Sequence, residues 1–499
     1  MGILSWITFT PLAGALAILL IPKEKTSWIH TTAIASGAAS FLMSVWALLL
    51  FDKNSAMMQF VEKTPWIHIF GINYHMGVDG LSIPLIVLTT LLTLLSLIFS
   101  MSVKERIKEY FFWFLLLDVG MLGVFSALDF VLFYVFWEVT LVPMYFLIGI
   151  WGGPKKEFAA IKFFLYTLFG SVFMLLAILA LYFGSNPHTF DMLELMKAHP
   201  GLSPQFQILT FLAFYLAFAI KVPAFPFHTW LPLAHVEAPT AVSVILAGVL
   251  LKMGGYGLLR VCFSMLPLGF KWFLPYLIVI AAINIVYGAF CAMAQTDMKK
   301  MVAYSSVNHM GYCLLGLAAV SVTGFNGAVL QMVAHGLITG ALFLLVGVIY
   351  DRAHTRDMSM FGGLGAKLPV YTGLMTLTAF ASLGLPGLAG FIGEFLCFLG
   401  AFQRVPEYTL NSTYAFCVIF SVLGILVTAA FFLRMIQKVF LGPLNNKWVA
   451  LEDMTPRELI TVVPLSVLTI ALGVWPKPAL DLMNPTLTEM IRSVSTIFR

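Results

Sequence analysis

Charge is scarce in this sequence: Asp, Glu, Lys and Arg make up 10% of 499 residues, against 60% hydrophobic residues and a mean hydropathy of +0.95. That scarcity excludes a soluble domain folded around one buried core. Cysteine is scarce too. The five present, Cys262, Cys291, Cys313, Cys397 and Cys417, fall in or near apolar runs without paired ligand spacing, so no zinc, haem or iron–sulfur motif is readable. No Gly-rich loop follows a strand pattern, which argues against nucleotide or flavin binding. The N-terminus lacks the basic start of a signal peptide, so the first apolar run is expected to be retained.

What remains is a succession of apolar runs of about the 17–25 residues a helix needs to cross the hydrocarbon layer. The pattern predicts an all-α, polytopic membrane protein with fourteen spans. They are placed at 3–22, 29–51, 82–102, 110–127, 130–151, 159–184, 206–221 continuing through 227–235, 240–264, 272–294, 301–320, 325–350, 369–403, 411–440 and 459–475. The seventh and twelfth are interrupted, one by Pro223 and Pro226, the other by GLPGLAGFIGE at 384–394. Proline and glycine there remove amide donors and loosen the helix, which is tolerated at membrane depth only where backbone is packed in protein or lines a wet cavity.

The two breaks lie five spans apart, and each has an ionisable residue beside it, Lys221 or Glu394. Five is odd, so a duplicated five-span unit would place its copies in opposite orientations, the inverted-repeat plan of many transporters. This divides the chain into an N-terminal segment 1–109, a first repeat 110–264 (helices 4–8), a second repeat 272–440 (helices 9–13) and a C-terminal segment 441–499 with helix 14. Lys and Arg cluster after odd-numbered spans: Lys23 and Lys25; Lys104, Arg106 and Lys108; Lys155 and Lys156; Lys299 and Lys300; Arg352 and Arg356; Lys438 and Lys447. Even loops carry few, such as Lys197, Lys271 and Arg404. The positive-inside rule then turns the odd loops to the cytoplasm and both termini to the other side. The net charge of +5 reflects those loops rather than affinity for nucleic acid.

A few charges remain inside the spans. An uncompensated lysine near the bilayer centre costs about 2.5–3.5 kcal/mol on insertion scales, so Lys221 and Lys252 point to an ion or proton path. Glu138 and Asp118 sit at similar depth on neighbouring spans, and two such acids do not both ionise cheaply without a cation. Lys221 is the candidate cation. A nearby carboxylate favours the charged ammonium, and separating the pair withdraws that support, which is how such a lysine can release a proton. Lys252 would accept it, with His309, His335 and Glu394 further along.

Each of these has a structural alternative. A buried ion pair can simply hold helices together, a lone histidine can be a packed hydrogen-bonding residue, and Asp118 can bond a neighbouring helix. Lys162 can snorkel to the cytoplasmic surface, while His228, His235 and Glu237 can shape the loop after the seventh span. The succession Glu, Lys, Lys, His, His, Glu favours a proton route, with Asp118 and Lys162 as secondary candidates.

At these residues the chain resembles a known family. KVPAFPFHTWLPLAHVEAPTAVSVILAGVLLKMGGYG, FYVFWEVTLVPMYFLIGIWGG, MGVDGLSIPL and AYSSVNHMGY are similar to the antiporter-like membrane subunits of respiratory complex I. The resemblance spans most of the chain. It implies Glu138 and Lys221 as the coupling pair, Lys252 as the central relay, His309 and His335 as connecting groups, and Glu394 as the exit-side carboxylate. It also implies no cofactor in this chain: NADH, FMN, iron–sulfur clusters and quinone belong to partner subunits, whose electron transfer drives the pump. Partners would be the lipid bilayer and two sibling antiporter-like subunits, in a bacterial cytoplasmic membrane. The alternative is a subunit of a multisubunit cation/proton antiporter or an energy-converting hydrogenase. Sibling complex I subunits and antiporter subunits typically carry lysine where this chain has Glu394, and the chain is expected to stop after its fourteenth span without the long lateral helix of one sibling. A rival of another class is a scaffold whose buried charges only join subunits.

Overall fold

Long apolar runs have no water to satisfy their backbone and so close into helices. The computed structural model describes residues 2–198, 201–405 and 412–498, and among these twelve helices are long and apolar enough to cross a membrane. They are spans one to nine, eleven, thirteen and fourteen of the expected set. The other two are present and differ for visible reasons. Span ten, Met298–Ala318, carries Lys299, Lys300, Asn308 and His309 and is too polar to qualify. Span twelve is two short helices, Pro369–Ser382 and Ala389–Arg404. The expected start of span thirteen at 411 lies outside the described residues; its helix runs Thr413–Phe440.

Both breaks fall where proline and glycine predict them. Span seven runs Pro204–Lys221, breaks, and resumes at Trp230–Glu237. In span twelve the chain turns through Gly384 and Gly387, whose φ of 83° and 91° only glycine adopts easily. Span eight is helical throughout Thr240–Phe263, but two stretches, Leu246–Leu250 and Leu258–Phe263, are π-helical. Lys252 lies on the short α-helical piece between them, Leu251–Gly257. Nothing in the apolar periodicity signals this widening.

The stretch between spans two and three, assigned no element from sequence, folds as an antiparallel hairpin of β1 (Gln59–Ile67) and β2 (Ile72–Val78). It docks on the connection between spans four and five, where His75 O accepts from Leu128 N at 2.8 Å. A polar clamp reinforces it: Asp191 Oδ2 takes Lys63 Nζ at 2.7 Å and His75 Nδ1 at 2.9 Å. Burial pushes the Asp191 carboxyl up, but the bonds from His75 and Lys63 outweigh it and hold it well below the usual carboxylate range. After span fourteen, Pro456–Val474, an amphipathic helix Lys477–Ser493 buries Met483, Leu487 and Met490 against the bundle. Its Thr486 hydroxyl accepts from Gly80 N at 3.0 Å.

One local motif occurs twice. Asp129 caps span five, Phe130–Trp151, by accepting from Val131 N and Leu132 N, and pairs backbone with Asp191. Asp297 caps span ten by accepting from Lys299 N and Lys300 N, and pairs with Asp357. The flanking bonds match: Met192 N to Leu128 O at 2.8 Å and Phe130 N to Phe190 O at 2.9 Å in one, Met358 N to Thr296 O at 2.9 Å and Met298 N to Arg356 O at 3.0 Å in the other. Close helix approaches repeat as well. A Cβ on Gly120 would meet Thr140 N at 3.0 Å, and one on Gly288 would meet Asn308 N at 2.8 Å. Five spans separate the copies, so they cap opposite ends of the bundle, as an inverted repeat requires.

Candidate functional site

Four of the predicted groups come together in one buried row. Lys252 is fully buried and has three donors to satisfy. One goes to the carbonyl of Ala247, on the π-helical stretch just before it, and another meets His335 Nδ1 at 2.6 Å. When Lys252 donates here, that nitrogen accepts and the neutral ring carries its proton on Nε2, which is buried without a hydrogen-bond partner. The His335 and His309 ring centroids are 5.5 Å apart. Beside both rings is a cavity of about 10 Å³, lined also by Ser382, Gln331 and Thr339, roughly the room one water needs. His309 then meets Glu394 Oε1 through Nδ1 at 3.2 Å and Ser382 Oγ through Nε2 at 2.9 Å. Gln331 lies close enough to the Glu394 carboxylate to act on it electrostatically. Glycine at 384 is required twice over, by its φ of 83° and because a Cβ would stand 2.9 Å from Glu394 Oε2.

The first half is arranged differently. Lys221 is buried at the last position before the break, but among the described residues it forms no ion pair with Glu138. Its Nζ lies over the rings of Trp137 at 5.2 Å and Phe163 at 5.7 Å and has no hydrogen-bond partner. Glu138 is half-buried, with Oε1 unpartnered. The two stay within electrostatic range, so the pair is open rather than closed. Asp118, fully buried, accepts from Thr93 Oγ1 at 2.7 Å; this is a bond to span three, not a contact with Glu138. Lys162 turns toward the break, its Nζ 5.6 Å from the Tyr166 ring centre, and Tyr166 OH bonds Thr229 Oγ1 at 3.1 Å.

Two features escaped sequence reasoning, the burial of Lys299 and the Arg260–Asp79 pair, while His235, expected to shape the loop after span seven, is buried. Lys299, counted above among loop charges, is buried in the first turn of span ten, and its Nζ donates to Ala238 O at 2.5 Å. His235 is fully buried, stacked on Phe343 with centroids 4.5 Å apart, and neither ring nitrogen has a partner. It lies within electrostatic range of both Lys299 and Lys252. Next to it in sequence, Val236 and Glu237 face a cavity of about 360 Å³ lined also by Thr240, Lys299, Asp351 and Arg356 with Trp151 and Tyr110, at the span ends that face odd-numbered loops. Beyond the far end of span eight's α-helical piece, Arg260 is buried and paired with Asp79 at 2.5 Å. Helix patterning places Lys299 in a first turn but cannot show that Ala238 will cover it. Among the described residues no group of three or more His, Cys, Asp or Glu could hold a metal ion.

Comparison with known proteins places this geometry in a family. Residues 127–431 match the model of the NADH:quinone oxidoreductase/Mrp antiporter transmembrane family. NADH-quinone oxidoreductase subunit M of Rhodobacter capsulatus is 43% identical, over 99% of this chain and 97% of that protein. The subunit M of Rickettsia bellii is 42% identical over 98% of both. Among solved structures, a chain of respiratory complex I from Thermus thermophilus with bound NADH superposes with a TM-score of 0.87 at 30% identity, covering 98% of this chain and 99% of that one. A chain of the Mrp complex from Dietzia shares the fold, with a TM-score of 0.86 at 20% identity. The chain therefore belongs to the subunit M family of NADH-quinone oxidoreductase, the antiporter-like membrane subunits of respiratory complex I.

Proposed function

We propose that this chain, as a proton-translocating membrane-arm subunit of NADH-quinone oxidoreductase, moves protons along Lys252, His335, His309 and Glu394, with Lys221 and Glu138 as the coupling pair. The observation that carries this reading is the contact row from Lys252 Nζ through His335 (2.6 Å) to His309 and Glu394 (3.2 Å). Each member can hold or pass a proton, and the small cavity beside the two imidazoles leaves room for a water between them. Intake runs from the cavity at the odd-loop ends, past Lys299 and His235, to Lys252. Residues 110–264 and 272–440 form the two halves of the channel, the first holding the switch and the second the exit row. The Lys221–Glu138 pair switches by distance. Closed, the carboxylate supports the ammonium; open, as found, Lys221 faces aromatic rings that support a charge less well than a carboxylate does.

The chain sits in the bacterial cytoplasmic membrane with odd loops inside and both termini outside. It packs between sibling antiporter-like subunits, while NADH, FMN, iron–sulfur clusters and quinone are held by partner subunits. Glu394 favours this assignment over a cation/proton antiporter subunit. The test is Lys221→Ala and Glu138→Ala in the assembled complex. Coupled proton pumping and NADH–quinone activity should both fall steeply with assembly intact; undiminished pumping by either variant would eliminate the assignment of the pair.

A further inference from the structure

Span nine, Pro267–Met293, supplies no titratable group to the relay, yet its Asn284 is fully buried. Its whole amide is engaged with backbone of other spans. Oδ1 accepts from Phe225 N at 2.7 Å, and Nδ2 donates to Pro223 O at 3.1 Å and more weakly to Val307 O at 3.5 Å. Phe225 and Pro223 belong to the break of span seven.

A broken helix leaves groups that must find partners at membrane depth. Within this break most are satisfied locally: Val222 N by Phe218 O at 2.8 Å, Ala224 N by Ala219 O at 2.7 Å and Phe227 N by Ala224 O at 2.7 Å. The indole of Trp230 takes Ile220 O at 2.9 Å. Pro223 O and Phe225 N are the pair that Asn284 takes from outside the repeat. Lys221 stands two residues before Pro223, and its Nζ has no hydrogen bond of its own and rests only over the Trp137 and Phe163 rings, so its place depends in part on the backbone that Asn284 holds. On the other side, Val307 is two residues before His309. Asn308 between them returns the tie, donating to Ile285 O at 2.7 Å and accepting from Thr428 Oγ1 at 3.3 Å.

We infer that Asn284 is a positioning residue that ties the break of span seven to spans nine and ten, and so fixes Lys221 relative to the His309 end of the relay. The link is mechanical. Neutral carboxamides hold geometry and do not titrate in the physiological range, so the tie runs between the halves without becoming a second proton route. It transmits a shift of the break to span ten, and the reverse.

This inference rests on the reading of Lys221 as a relay group, so Lys221→Ala is measured beside it. In the assembled membrane complex, Asn284→Leu keeps the branched side-chain shape, with bulkier methyl groups, and removes every hydrogen bond. Its coupled pumping rate, normalised to NADH–ferricyanide activity, should fall at least about threefold, a loss of the order expected for one such buried tie. Asn284→Asp is isosteric, keeps the acceptor for Phe225 N and regains a donor when protonated, so it should recover at least half the wild-type rate. A leucine variant pumping at the wild-type normalised rate, or an aspartate variant no better than leucine, overturns the positioning role. Should Asn284→Leu not assemble, Asn284→Ser, too short to bridge both backbone groups, must show the same loss, and a wild-type rate there overturns the role equally. If Lys221→Ala pumps normally, the relay reading fails instead, whatever Asn284 does.

Discussion

His335 is where the exit row can be cut with least disturbance. Leucine in its place has a similar volume and keeps span eleven packed, but removes both ring nitrogens. The loss has two parts. Lys252 Nζ gives up its 2.6 Å partner, a hydrogen bond from a charged group worth about 1.5–3 kcal/mol. The imidazole also stands between Lys252 and His309, its centroid 5.5 Å from that of His309, so without it the row loses the one group that links them within hydrogen-bond reach, direct or through one water, as proton transfer needs. If only the bond energy is missing from the barrier, 1.4 kcal/mol per factor of ten gives a fall of about 10- to 100-fold. The assay is NADH-driven proton uptake in proteoliposomes of the assembled complex, normalised to NADH–ferricyanide activity so that assembly cancels. A His335→Leu complex within threefold of wild type would refute the reasoning, since protons would then be bypassing the imidazole row.

Two more predictions follow from packing and charge. Because Asp191 is held below its unfolded value, its stabilisation is fully present above about pH 4 and is lost only as pH falls through the lower folded value; amide protection factors across β1 and β2, with the intrinsic pH dependence of exchange divided out, should therefore be unchanged between pH 7 and pH 5, and a fall in protection in that window would contradict the clamp. A Cβ on Gly390 would stand 2.1 Å from Ala381 O, so Gly390→Val should push the halves of span twelve apart, destabilise by about 1–3 kcal/mol or more and lower the amount of assembled complex on native gels; a wild-type level would show that the break has slack.

The spans and both breaks were legible because hydropathy and Pro/Gly punctuation are local signals. So were the buried charges and imidazoles proposed for the relay, since such a group at mid-span is conspicuous against an apolar background. What could not be read depends on contacts distant in sequence. Lys221 faces Trp137 and Phe163 rather than closing on Glu138. Lys299 leaves its loop for a carbonyl 61 residues away. The hairpin at 59–78 is short and mixed in pattern, and its stability comes from docking on Leu128 and Asp191 rather than from strand propensity. The π-helical turns around Lys252 leave no periodic trace in a span apolar on every face. Ser382 and Gln331 look like ordinary small polar residues until the fold brings them to His309 and Glu394.

In the proposed mechanism one proton path joins the open pair in the first half to the contact row in the second. The most direct measurement is a density map of the whole complex under turnover, at a resolution that shows ordered water between Lys221 and Lys252. A hydrogen-bonded line of waters and side chains is expected from Lys221 through Lys252 to Glu394. A dry, packed gap between Lys221 and Lys252 longer than one side chain, unchanged between resting and turnover states, would contradict it.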